Sequence, residues 1–228
     1  MKYLENPFKS LNRFELILWI TSLIVVGASY LLVSTSDVLP LSASLIGVTA
    51  LIFVAKGRSI GQVLTIVFSV FYGIISLRNQ YYGEMITYLG MSAPMAFVAL
   101  IAWIRNPYKN TKEVKVNSIS KKHLTLMLIS CIAVTIGFYF ILKAIGNASL
   151  VFSTISVTTS YLASYLTALR SPYYALAYSA NDVVLIVLWI IASIENPVNV
   201  PMIACFVMFL ANDLYGFYNW KKIKKRQN

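Results

Sequence analysis

Eight apolar runs alternate with short polar breaks along the chain, at residues 14–35, 39–55, 60–78, 85–104, 123–145, 150–169, 172–194 and 198–220. Each predicts a helix about long enough to cross a bilayer whose hydrocarbon core is roughly 30 Å thick. The second run is the shortest and leaves little room for tilt. Polar residues inside the runs recur at helical spacing. In the third run Gln62, Thr65, Ser69, Tyr72 and Ser76 form a continuous stripe on one helix face. The sixth carries Ser153, Ser156, Ser160, Ser164 and Thr167, with Tyr161 and Tyr165 beside them. In the seventh, Tyr174, Tyr178 and Asn181 share a face with Asp182. The eighth carries Asn212, Tyr215 and Asn219, with Asp213 adjacent. The fourth begins at Glu84 and passes Tyr88 and Ser92 to Pro94, which predicts a kink.

One long polar break, 105–122, divides the chain. Three runs on each side of it have tight connections. Each triplet ends in an aromatic helix closing on Trp beside basic residues, Trp103-Ile-Arg105 and Trp220-Lys-Lys222. This predicts an internal repeat. Residues 1–38 form an N-terminal segment with an extra helix, 39–104 the first triplet, and 105–122 a basic linker. Residues 123–145 form a connecting helix, 150–220 the second triplet and 221–228 a basic tail. An odd number of crossings per repeat with one joining helix gives parallel repeats about an axis along the membrane normal. Such transporters hold substrate near the midplane, between the repeats.

Composition agrees with the pattern. The chain has 228 residues, of which 58% are hydrophobic and 12% charged, with mean hydropathy +0.72. Soluble domains carry about 25% charged residues, so this is an all-α integral membrane protein. The polar first 13 residues and the length of the first apolar run argue against a cleavable signal peptide. The net charge of +11 is divided among loops. All of the 19 basic residues except Arg78 and Lys143 fall on one side if every run spans. The other side has Asp37, Glu84 and Glu195 nearby. That is the positive-inside pattern of a multi-pass plasma-membrane protein with both termini cytoplasmic. It removes a nucleic-acid partner and leaves the basic tail free to touch anionic lipid.

The chemistry is that of a binding site without catalysis. The single His123 sits at an edge beside Lys121 and Lys122, so no Ser has a His partner within the spans. No phosphate-binding glycine loop is present. Cys131 and Cys205 lie in apolar runs as small buried hydrophobes, and no spacing predicts a metal or cofactor site. Asp182 would lie roughly 15 Å deep at 1.5 Å per residue, where a carboxylate costs an estimated ~2.5–3.5 kcal/mol to insert. Two readings of the stripes stand side by side. Ser and Thr in spans often only pack closely or bond back to the backbone, and the Asp pair could join helices. An amide such as Gln62, with its four bonding positions, needs partners, which favours a lining role. The candidate contacts are Gln62, Thr65, Ser69, Tyr72, Tyr174, Tyr178, Asn181, Asp182, Asn212, Tyr215 and Asn219. Amides, hydroxyls, rings and carboxylates suit a neutral or cationic, hydroxyl-rich aromatic ligand. They suit a phosphorylated one poorly, since no Arg or Lys lies at mid-membrane.

Several stretches carry a family resemblance: Gly61-Gln62 with Tyr72, Tyr81-Tyr-Gly-Glu84, Ser171 to Asp182, and Asn212-Asp-Leu-Tyr-Gly-Phe-Tyr-Asn-Trp220. The chain resembles the PnuC family of nicotinamide riboside transporters, in the form found in Gram-positive bacteria. The resemblance implies a three-plus-one-plus-three arrangement similar to the SWEET sugar transporters, with an extra N-terminal helix as the eighth transmembrane helix. It implies facilitated diffusion of nicotinamide riboside, trapped by a separate cytoplasmic riboside kinase, and a homotrimer. Many members carry a Trp-rich motif at the start of the seventh run. Here those positions look like Tyr174 and Ala177, with Tyr178 next. Transport of a related vitamin such as thiamine or riboflavin, and proton coupling through Asp182 or Asp213, stay open as alternatives.

Overall fold

The computed structural model describes residues 6–33, 38–78, 81–109, 111–147 and 149–228. Lys2 and Asp37, assigned above to opposite sides of the membrane, lie outside them. The elements are α1 (Arg13–Val33), α2 (Val38–Ala55), α3 (Ser59–Arg78), α4 (Tyr82–Thr87), a π turn (Tyr88–Ser92), α5 (Ala93–Ile104), α6 (Lys121–Ala144), α7 (Leu150–Ala168), α8 (Tyr173–Glu195), a 3₁₀ turn (Pro197–Asn199) and α9 (Val200–Gln227). The stretch from α4 to α5 makes one continuous crossing, Tyr82–Ile104. Among the described residues, seven helices are long and apolar enough to cross a membrane, and α7 is not one of them. Its serines and threonines lower its hydropathy, although its 19 residues match its neighbours in length.

Local chemistry sets the helix ends. Asn12 and Glu15 form a capping box at α1: Glu15 N donates to Asn12 Oδ1 at 2.9 Å and Asn12 N to Glu15 Oε2 at 2.7 Å. At the end of α2, Gly57 adopts φ +65° and Arg58 N closes on Phe53 O at 2.9 Å, the left-handed stop that glycine favours. Arg170 ends α7 in the same way at φ +59°, with Ser171 N on Leu166 O at 2.9 Å. The kink expected at Pro94 takes the form of the π turn just before it, which accommodates a ring with no N–H to donate.

The basic loops meet at one end of the bundle. Glu15 of α1 is buried and accepts from Lys56 Nζ at 2.8 Å. The linker donates to both left-handed turns: Val114 N to Gly57 O at 2.9 Å, and Asn117 N to Arg170 O at 2.9 Å. The tail joins through Gln227, whose amide binds Glu113 and Val114. Two indoles cross between the halves at this end. Trp103 Nε1 donates to Thr167 O and Trp220 Nε1 to Val54 O, each at 2.9 Å. Thr167 and Val54 each stand three residues before a left-handed turn residue.

At the opposite end Gly83 N donates to Asn147 Oδ1 at 3.3 Å. There Tyr81 packs edge-on against Trp189, its phenol pushed above the usual range first by burial and then by nearby Glu195. Two apolar clusters fill the bundle. One is built on Phe68, Tyr72, Tyr88, Trp189, Phe206 and Phe209, the other on Trp103, Trp220, Tyr174 and Met127. Helix α6 packs chiefly on α7 and leaves Ile129, Ile132, Ile136 and Phe140 exposed.

Candidate substrate site

A cavity of about 60 Å³ lies between the two clusters, walled by α2, α3, the π turn, α7, α8 and α9. Gln62, Thr65 and Ser69 reach it from α3, and Tyr178, Asn181 and Asp182 from α8. Spacing of three and four residues turns these side chains to one helix face. Gly47, Ala50 and Val54 let α2 approach closely, and Ser160 and Thr167 of α7 complete that side. A larger hollow of about 480 Å³ opens at the basic end, but its walls include ion pairs already made, Glu15 with Lys56 and Glu113 with Arg226. The central cavity is the better candidate site, because its polar atoms are the less committed.

Asn181 Oδ1 accepts from Thr159 Oγ1 at 2.8 Å and Ser156 Oγ at 3.3 Å. Its oxygen is therefore tied to α7, and what remains to offer is its NH₂. Tyr178 Oη meets Ser164 Oγ at 3.2 Å, which fixes the ring along the wall. Among the described residues, Ser69 Oγ and Asp182 Oδ2 are buried without a hydrogen-bond partner. The Asp182 and Asp213 carboxyls face each other from adjacent helices. Asp213 also lines the cavity, and Lys and Arg are absent from its lining among the described residues.

Five of the expected contacts stand elsewhere. Tyr72 is clamped above the cavity, accepting from Trp189 Nε1 at 2.9 Å with its ring 4.3 Å from that of Tyr88. Tyr174 lies below it, 4.9 Å from the Trp220 ring. These two rings belong to the aromatic layers that bound the cavity. Asn212, Tyr215 and Asn219 face away from it. Asn212 Nδ2 donates to Ser22 Oγ of α1 at 3.0 Å, Tyr215 Oη to Glu15 Oε1 at 2.7 Å, and Asn219 Nδ2 to Ala55 O at 2.9 Å. One residue along a helix turns by about 100° at 3.6 residues per turn, so Asp213 reaches the cavity where Asn212 does not. Tyr88, Ser92, Phe68 and Phe209 also line it. Phe68 and Phe209 are apolar among apolar neighbours and gave no sequence signal.

A bundle of membrane-crossing helices closed around a buried polar cavity has the form of a membrane transporter. Residues 37–222 match the nicotinamide mononucleotide transporter family, and the chain belongs to it. It is 24% identical over 226 residues to the nicotinamide riboside transporter PnuC of Neisseria mucosa, covering 97% of this chain and 86% of that protein. It is 26% identical over 219 residues to the PnuC of Haemophilus influenzae, covering 94% and 92%. Its fold is similar to a crystal structure of the vitamin B3 transporter PnuC, with TM-score 0.83 at 23% identity, over 96% of this chain and 95% of that one.

Proposed function

We propose that the protein carries nicotinamide riboside across the plasma membrane by facilitated diffusion, with a separate cytoplasmic riboside kinase trapping it inside. The observation that carries this reading is the chemistry of the cavity wall: two carboxyls, two amides, hydroxyls and two tyrosine rings, with no basic side chain among the described residues. The riboside is a pyridinium cation bearing a carboxamide and ribose hydroxyls. Asp182 and Asp213 meet the charge, Gln62 and Asn181 the amide and hydroxyls, and Tyr178 the ring. A mononucleotide would bring a phosphate against two carboxyls with no Arg or Lys to receive it. The names of the relatives in Neisseria mucosa and Haemophilus influenzae agree with the riboside.

The proposed architecture has α7 as the eighth crossing, its polar face turned to the cavity and away from lipid. α2 to α5 and α7 to α9 are parallel repeats joined by α6, and α1 is the extra N-terminal helix. The paired indole bonds and matching left-handed turns support that symmetry. The basic end is cytoplasmic, and the exposed apolar face of α6 suits lipid or the trimer contact. A cavity of about 60 Å³ is far below the ~300 Å³ of ordinary ligand pockets. This is therefore a closed conformation whose walls part to admit substrate.

Proteoliposomes holding the purified chain should take up labelled nicotinamide riboside down its gradient, ahead of the mononucleotide and thiamine. Equal uptake of the mononucleotide would refute the reading, and faster uptake of thiamine would move it to that vitamin.

A further inference from the structure

Glu84 is a carboxyl that the central cavity does not use. It stands in the first turn of α4, at the end opposite the basic loops, and is 2% exposed. Among the described residues neither of its oxygens makes a hydrogen bond of full geometry. The Ser156 hydroxyl of α7 lies close to the Glu84 carboxyl while also donating to Asn181 Oδ1 at 3.3 Å. Burying an unpaired carboxyl is costly, and glutamine would fill the same space without the charge. Glu15, equally buried, is by contrast met by Lys56, Tyr215 and the backbone of Asn12.

What surrounds Glu84 defines its chemistry. Tyr72 and Tyr88 lie beside it, their rings 4.3 Å apart. Tyr88 is one turn further along the same helix and lines the central cavity from its other side. The Tyr72–Tyr88 pair is thus a thin aromatic partition, with Glu84 on one side and the cavity on the other. The π turn begins at Tyr88 itself. A widened turn is a point where a helix can change register without breaking, so the partition sits on the segment best able to move. An unpaired carboxyl backed by aromatic faces is a receiver for an organic cation.

We infer that Glu84 and the Tyr72–Tyr88 partition form a second, outer station on the transport route, which takes the pyridinium cation before it passes to the central cavity. The inference rests on the riboside reading above and adds a step to it. A cation leaving water is met first by Glu84, slides along the rings as Tyr88 yields, and reaches Asp182 and Asp213 beyond.

The test is fluorescence titration of purified wild type, Glu84→Gln and Glu84→Asp with nicotinamide riboside. Glutamine keeps shape and hydrogen bonding but loses charge; aspartate keeps charge and shortens the arm. The expected order is wild type and Glu84→Asp within a few-fold of each other, with Glu84→Gln weaker by roughly tenfold, an ordinary step for one charged contact. Glu84→Gln binding like wild type, or better than Glu84→Asp, would overturn the outer station. If wild type itself fails to bind the riboside, the functional reading falls first.

Discussion

At the scale of single residues, Asn181 shows how a membrane protein positions a polar group. Thr159 and Ser156 occupy its oxygen from α7, so the amide arrives at the cavity already oriented. Losing it removes a donor and the bonds that tie α8 to Ser156 and Thr159, although Thr159 Oγ1 keeps the Ile155 and Ser156 carbonyls, a change worth about 1–3 kcal/mol. Asn181→Ala and Gln62→Ala should each lower riboside uptake by roughly tenfold while membrane expression stays near normal. Normal transport by both would place the site elsewhere. Six of the cavity-lining residues were legible from three-and-four spacing alone: Gln62, Thr65, Ser69, Tyr178, Asn181 and Asp182. Asn212, Tyr215 and Asn219 lie outside the cavity for a definite reason. Periodicity finds a polar face but not its neighbour, and α1, which provides Ser22 and Glu15, makes a polar face of α9 useful away from the cavity.

At the scale of elements, close approach matters more than bulk. A methyl added at Gly61 would stand 2.6 Å from Val54 N and 3.0 Å from Ala50 O. Both are backbone atoms of α2, which cannot swing aside as a side chain would. Gly61→Ala should therefore destabilise the protein by about 1–3 kcal/mol, read as a lower melting temperature in detergent. Its uptake should fall too, because Gln62 is the next residue. Helix α7 illustrates what sequence could show and what hydropathy alone could not. Its serine and threonine stripe predicted a helix, and the structure has one over Leu150–Ala168. The same residues keep it out of the set recognisable as spans, because a helix lined with hydroxyls toward a cavity is less apolar than one wrapped in lipid. The π turn was legible only as a kink, since Pro94 marks the place but not the form.

At the scale of the molecule, the loops that share positive charge also share hydrogen bonds. The alternation of basic breaks along the chain anticipated that they would meet, and linker, turns and tail do meet at one end. How they are joined was not legible, because backbone bonds from Val114 and Asn117 carry no side-chain signature. The crossed indoles are the part most open to measurement. Trp103→Phe and Trp220→Phe each remove one bond and part of a fully buried ring, and each should lower stability by about 2–3 kcal/mol. If the two bonds act together, the double variant will depart from the sum of the singles, as coupled sites do.

That reciprocity has a consequence for how the transporter can move. Each half of the bundle holds the other by a carbonyl at the foot of its first helix. Parting the halves at this end releases both bonds at once, since neither half swings free while the partner's indole is seated. Such a closure works as a single toggle: halfway positions keep the strain of opening without its full gain in room. The Glu84 end, joined by the Gly83–Asn147 bond and the Tyr81–Trp189 packing described above, has no such reciprocal pair among the described residues.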